Sequence, residues 1–101
     1  NIEEKSLHGA VLTAGGLLAH VHASENDRGT PGSGLVDWDG LFRGLAETGY
    51  RGRMVVETFF EPVPEIADFS RVWRPLAPDP DTFCRESLTF LRAQARQHGL
   101  G

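Results

Sequence analysis

Three side chains in this sequence combine a chemically useful type with a suggestive spacing: His22, Arg28 and Glu57. His22 closes the short apolar run Leu17 to His22, and Glu57 lies near the end of a second run, Arg53 to Phe59. Side chains alternate along a strand, so His20 and His22 share one face of the first run, and Arg53, Val55 and Glu57 one face of the second. If the two strands run parallel, His22 and Glu57 stand together at their carboxyl ends, the edge that carries ligands in α/β barrels. An imidazole beside a carboxylate there offers part of a divalent-metal site. Carboxylate oxygen suits Mg²⁺ or Mn²⁺, and imidazole shifts the preference towards Mn²⁺ or Co²⁺. Two donors do not complete a catalytic shell.

Arg28 belongs to the loop HASENDRGTPGSG and offers a forked donor to substrate oxygens. Gly29, Pro31, Gly32 and Gly34 let that loop turn sharply and close over a ligand. Each residue also has a plainer reading. His22 suits a hydrogen-bonded strand end, Glu57 a salt bridge and Arg28 a solvated loop charge. Glu25 is either an orienting partner for a neighbour or a surface carboxylate. His20 reads as a packing or supporting residue behind His22, and Trp38 and Trp73 as packing residues. Cys84 reads as an inert core thiol, and His8 and His98 as helix-surface residues.

The elements that must position these groups alternate. Glu3 to Ala14 carries Leu7, Ala10, Val11 and Ala14 at helical spacing and stops at Gly15-Gly16. After the first strand, the polar, Gly/Pro-rich stretch Ala23 to Val36 is a loop. Asp37 caps a second helix whose stripe is Trp38, Leu41, Phe42 and Leu45, ending at Gly49. Beyond the second strand, Glu61 to Pro80 holds five prolines and at most a short helix near Ile66 to Trp73. A last helix over Asp81 to Gln97 is expected to bury Phe83, Leu88, Phe90 and Leu91. This order predicts an α/β fold with parallel strands and helices outside them. Two strands leave both sheet edges open, which points to a fragment of a larger α/β protein or to a chain completed by copies of itself.

Composition narrows the function further. The 101 residues are 40% hydrophobic and 24% charged, as in one globular domain. Ten Lys+Arg against fourteen Asp+Glu give a net charge of −4, which disfavours nucleic-acid partners. No apolar stretch approaches the roughly 20 residues of a membrane span. The start Asn1-Ile2-Glu3-Glu4-Lys5 is not that of a signal peptide. With one cysteine, Cys84, a reducing, cytoplasmic location is expected.

The segments HVHASENDRGTPGSG, Asp37-Trp38, Tyr50-Arg51-Gly52, MVVETFF and VWRPLA together resemble the C-terminal part of D-tagatose/D-psicose (allulose) 3-epimerases, a group of xylose isomerase-like TIM barrels. The string His-x(5)-Arg-x(2)-Pro-Gly-x-Gly, followed by Glu57 at 35 residues after His22, is its most specific element. The resemblance implies that residues 1–101 are a partial (β/α)8 barrel: a helix, strand seven, a helix, strand eight and a helix. A whole barrel needs about 250 residues, so this one cannot close within one chain.

The resemblance also implies roles. His22 matches a metal-binding histidine, and Glu57 a metal-binding glutamate that also serves as acid/base. Arg28 matches an arginine that grips substrate hydroxyls, and Phe59 an aromatic lining the sugar pocket. The other metal-binding Glu and Asp, and a substrate-contacting His, are implied to lie upstream of Asn1. The implied reaction is C3 epimerisation of a ketohexose with Mn²⁺, or else Co²⁺ or Mg²⁺. A proton leaves C3 on one face and one returns on the other, through an enediolate. The isolated chain is expected to be inactive, because half of the acid/base pair is missing. Hydroxypyruvate isomerase or inosose dehydratase chemistry, or a noncatalytic structural piece, are the alternatives. Endonuclease IV-like DNA repair is disfavoured by the acidic balance and the single loop arginine. The expected partners are a small sugar and, across the open edges, further copies or exchanged elements, with no nucleic acid and no membrane.

Overall fold

A computed structural model describes residues 3–59 and 64–101. Asn1-Ile2 and Phe60-Glu61-Pro62-Val63, where the proline-rich stretch opens, lie outside the described residues. Helix α1 spans Leu7–Ala14 and is followed by a 3₁₀ turn over Gly15–Leu17. Strand β1 is His20–Ala23, helix α2 Trp38–Glu47, strand β2 Arg53–Val56, helix α3 Pro64–Ser70 and helix α4 Pro80–Gln97. The two strands pair in parallel, His20 with Arg53 through to Ala23 with Val56. Among the described residues, the sheet is therefore an open two-stranded one and not a closed barrel.

Local chemistry sets the helix ends. Ser6 accepts from Gly9 N–H at 3.0 Å, Asp37 from Gly40 N–H at 3.0 Å and Asp79 from Thr82 N–H at 2.7 Å. Each satisfies a backbone donor that the first helical turn leaves free. Pro80 then stands at the first helical position, where its missing N–H costs nothing. Helix α2 ends at Gly49, whose φ is 67°, a left-handed value that only glycine adopts freely. Gly49 N–H reaches Ala46 O, and Tyr50 N–H reaches Leu45 O at 2.9 Å. Helix α4 repeats this ending at Gly99, with Leu100 N–H on Ala95 O at 2.7 Å.

Packing makes the two sheet faces unlike. Ala23, Trp38, Phe42 and Leu91 form the core, with Met54 and Val56 partly buried against it. This side of the sheet lies under α2 and α4, and Phe90 meets the Trp38 ring edge to face at 5.8 Å, a favoured aromatic geometry. The opposite face carries His20, His22, Arg53 and Val55, all exposed. Helix α1 packs on α2 with Val11 against Gly44, and His8 Nε2 lies 2.9 Å from Glu47 Oε2.

Several expectations are corrected. Strand β1 starts at His20 rather than Leu17, because the turn after Gly15-Gly16 throws Leu17 into solvent at 92% exposure. Strand β2 ends at Val56 rather than Phe59, although Glu57 N–H still donates to Ala23 O at 2.9 Å. The short helix α3 comes earlier than Ile66 to Trp73. On α4 the buried stripe is Phe83, Ser87 and Leu91. Cys84 and Leu88 are exposed, each sitting about 100° round the helix from that stripe. Trp73 is also exposed, with the Arg71 guanidinium 6.0 Å from its ring. His98 is no free surface residue: it stacks on Phe42 and bonds Gln94 O and Asp39, tying the end of α4 to α2. Among the described residues, no helix is long and apolar enough to cross a membrane.

Candidate functional site

The site lies at the carboxyl ends of β1 and β2, on the face that α2 and α4 leave open. His22 Nδ1 and Glu57 Oε2 are 3.6 Å apart, and both side chains are about half exposed. Alternation aims them to the same side, and the ladder bond from Glu57 N–H holds the end of β2 level with Ala23. Behind His22, the His20 ring contacts it edge to face at 4.9 Å between centroids.

The loop after β1 brings Arg28 to the same end of the sheet. Its backbone takes the left-handed conformation, with φ at 68°, which is unusual for a residue with a Cβ. Two bonds hold that turn: Arg28 N–H donates to Glu25 O at 3.1 Å, and Thr58 Oγ1–H donates to Arg28 O at 3.0 Å. The guanidinium lies 5.2 Å from the centre of the Phe59 ring and donates from Nη1 to Ser24 Oγ at 3.4 Å. Stacking on an aromatic face leaves other N–H groups of the fork for a ligand. Thus His22, Glu57, Arg28 and Phe59, all singled out from the sequence, gather at one end of the sheet.

Sequence reasoning left Glu25 undecided, and it is the most elaborately bonded side chain of the loop. It is 2% exposed. Its Oε1 accepts from the N–H of Asn26 and Val36, and its Oε2 from the N–H of Gly32 and the indole Nε1–H of Trp38. Burial alone pushes such a carboxyl up. The bonds from Trp38, Val36, Asn26 and Gly32 outweigh it and hold Glu25 below the usual carboxylate value of 4.5. A sequence signal existed in the loop's composition. A Gly- and Pro-rich loop has few ladder partners for its N–H groups, and a carboxylate within it can serve several.

One imidazole nitrogen and one carboxylate oxygen this close fit a first-row divalent ion chemically. Among the described residues, no third His, Cys, Asp or Glu joins them. A cavity of about 330 Å³ lies between α1, β1 and α2; Val11, Val21 and Leu41 make much of its wall apolar, His20, His22 and Ser24 also border it, and Glu57 and Arg28 do not. The larger cavity, about 880 Å³, lies elsewhere, between α2, β2 and α4. Phe42, Met54 and Leu91 make much of its wall apolar, with Arg51, Arg92 and His98 also bordering it, and His22, Arg28, Glu57 and Phe59 do not reach it.

A parallel strand–helix–strand unit with helices on one face of its sheet is the repeating unit of an α/β barrel. The family model for the xylose isomerase-like TIM barrel matches residues 4–94, and the chain belongs to that family. It is 39% identical over 92 residues to a probable ketose 3-epimerase of Synechocystis sp., matching 91% of this chain and 32% of that protein. It is likewise 39% identical over 77 residues to a D-psicose 3-epimerase of Ruminiclostridium cellulolyticum, matching 76% of this chain and 26% of that one. A solved L-ribulose 3-epimerase superposes with a TM-score of 0.88 at 26% identity, covering 97% of this chain and 34% of the other. The chain thus spans about a third or less of the curated relatives it matches.

Proposed function

We propose that this chain supplies the last two strand ends of a metal-dependent ketose 3-epimerase site. The observation that carries the reading is the 3.6 Å approach of His22 Nδ1 to Glu57 Oε2. His22 and Glu57 are the two residues here that would hold a divalent ion, Mn²⁺ by preference. Such an ion supplies a Lewis acid that polarises the sugar's C2 carbonyl and acidifies the proton on C3. Glu57 moves a proton at C3 on its own face of the sugar. Arg28 holds substrate hydroxyls with the part of its fork not committed to Ser24, and Phe59 supplies an apolar wall beside it. Inversion at C3 needs a second acid/base group on the opposite face, which this segment does not offer among its described residues, so the segment alone does not epimerise sugars.

Titration of the chain with Mn²⁺ tests the reading. Binding that His22→Ala and Glu57→Gln each weaken supports it, and no binding at neutral pH overturns it. A noncatalytic structural role is the second reading, favoured by the absence of a third donor among the described residues. A silent titration would select it.

A further inference from the structure

We propose that Glu25 is the positioning residue for Arg28, an internal anchor around which the loop wraps to present the guanidinium beside Phe59. Its functional meaning rests on the sugar-binding reading of Arg28.

A buried carboxylate costs stability unless donors surround it. Here four converge on it, at 3.1 Å from Asn26, 2.9 Å from Gly32, 2.9 Å from Val36 and 2.8 Å from Trp38 Nε1. Those donors come from both ends and the middle of the loop, and Trp38 fastens the set to the core through α2. Each carboxylate oxygen takes two of them. The chain passes so close that a Cβ on Gly34 would lie 2.6 Å from Glu25 Cγ, a clash that only glycine avoids. At the other end of the same residue, Glu25 O accepts Arg28 N–H at 3.1 Å and closes the turn in which Arg28 is left-handed. Side chain and carbonyl of one residue therefore fix the loop's path and the arginine's departure from it. An apolar residue of similar size would fill the space but leave four N–H groups without acceptors. Glutamine would set an NH₂ group against donors.

The test is the NMR shift of the Arg28 Cδ protons in the whole 101-residue chain, which the Phe59 ring moves upfield when the guanidinium stacks on it. Glu25→Gln is expected to abolish that upfield shift. Trp38→Phe removes one donor of the four and is expected to reduce it, and this variant decides the matter if Glu25→Gln does not fold. Val11→Ala loosens the remote contact of α1 with α2 and is expected to leave the shift intact, which separates positioning from a general loss of stability. Mn²⁺ affinity in the folded Glu25 and Trp38 variants is expected to stay within about threefold of the parent chain. That is short of the ~10–100-fold cost of removing a direct partner of a metal ligand. An unchanged Arg28 shift in the folded variants, or an equal loss in Val11→Ala, overturns the proposal. A parent chain that binds no Mn²⁺ overturns the epimerase reading instead and leaves the Arg28 result standing.

Discussion

His22 and Glu57 meet although they are not register partners. His22 pairs with Val55, and Glu57 lies two residues further along the chain, past the end of β2. Their 3.6 Å approach arises because the Glu57 N–H bond to Ala23 O keeps the two chains side by side for one more step. With both side chains half exposed, their mutual attraction adds little to stability. The pairing matters for what the two groups can hold between them.

Removing either donor should therefore affect metal more than fold. His22→Ala and Glu57→Gln are expected to lower Mn²⁺ affinity by at least about tenfold, on the order of the loss seen when even an outer partner of a metal ligand goes. Thermal unfolding should move little, within the about ±0.5 kcal/mol typical of surface changes. Isothermal titration together with circular dichroism melting reads both.

Arg28→Lys keeps the charge and loses the planar fork. The stack on Phe59 is worth about 0.5–1 kcal/mol at an exposed site, and a weakening of that size is expected in the loop's local opening free energy. Hydrogen exchange at the amides of Arg28 and Gly29 measures it. In a protein of the relatives' full length carrying this segment, the same change is expected to raise KM for the ketose more than it lowers kcat.

Acid should loosen the loop before the rest of the chain. The Glu25 carboxyl is held below 4.5 in the folded chain, so its contribution is complete above that value and disappears as pH falls through the lower folded one. Asp79, lowered chiefly by the Thr82 backbone N–H and then by the Thr82 hydroxyl, acts in the same direction at the start of α4. Urea midpoints followed by Trp38 fluorescence in a Trp73→Phe background should fall on the acid side of 4.5, and Glu25→Gln should flatten that dependence. The substitution itself is expected to cost about 1–3 kcal/mol at neutral pH, by setting an NH₂ group against buried N–H donors.

The close contact of α1 with α2 depends on a missing side chain. A Cβ on Gly44 would stand 3.0 Å from Val11 Cβ and 3.3 Å from His8 O. Gly44→Val is expected to destabilise the chain by about 1–3 kcal/mol through overpacking. Chemical denaturation measures the loss. Breaking of the His8–Glu47 contact would report that the helices have moved apart.

Much of the outline was legible in the residues. Caps and stops act through neighbours in sequence, so Asp37 before α2 and Gly49 after it mark their elements without help from the rest of the chain. Strand alternation is equally local, and in two parallel strands it puts His22 and Glu57 on matching faces. Long-range packing decided the remainder. Which stripe of α4 meets the core is set by how the helix docks, so periodicity alone did not tell Phe83 and Leu91 from Leu88 or Cys84. Glu25 became an anchor only because the loop folds back and brings Gly32, Val36 and Trp38 to it, up to 13 residues away. A carboxylate is solvated or buried according to the donors that surround it, and donors from distant parts of the chain converge only in the folded state.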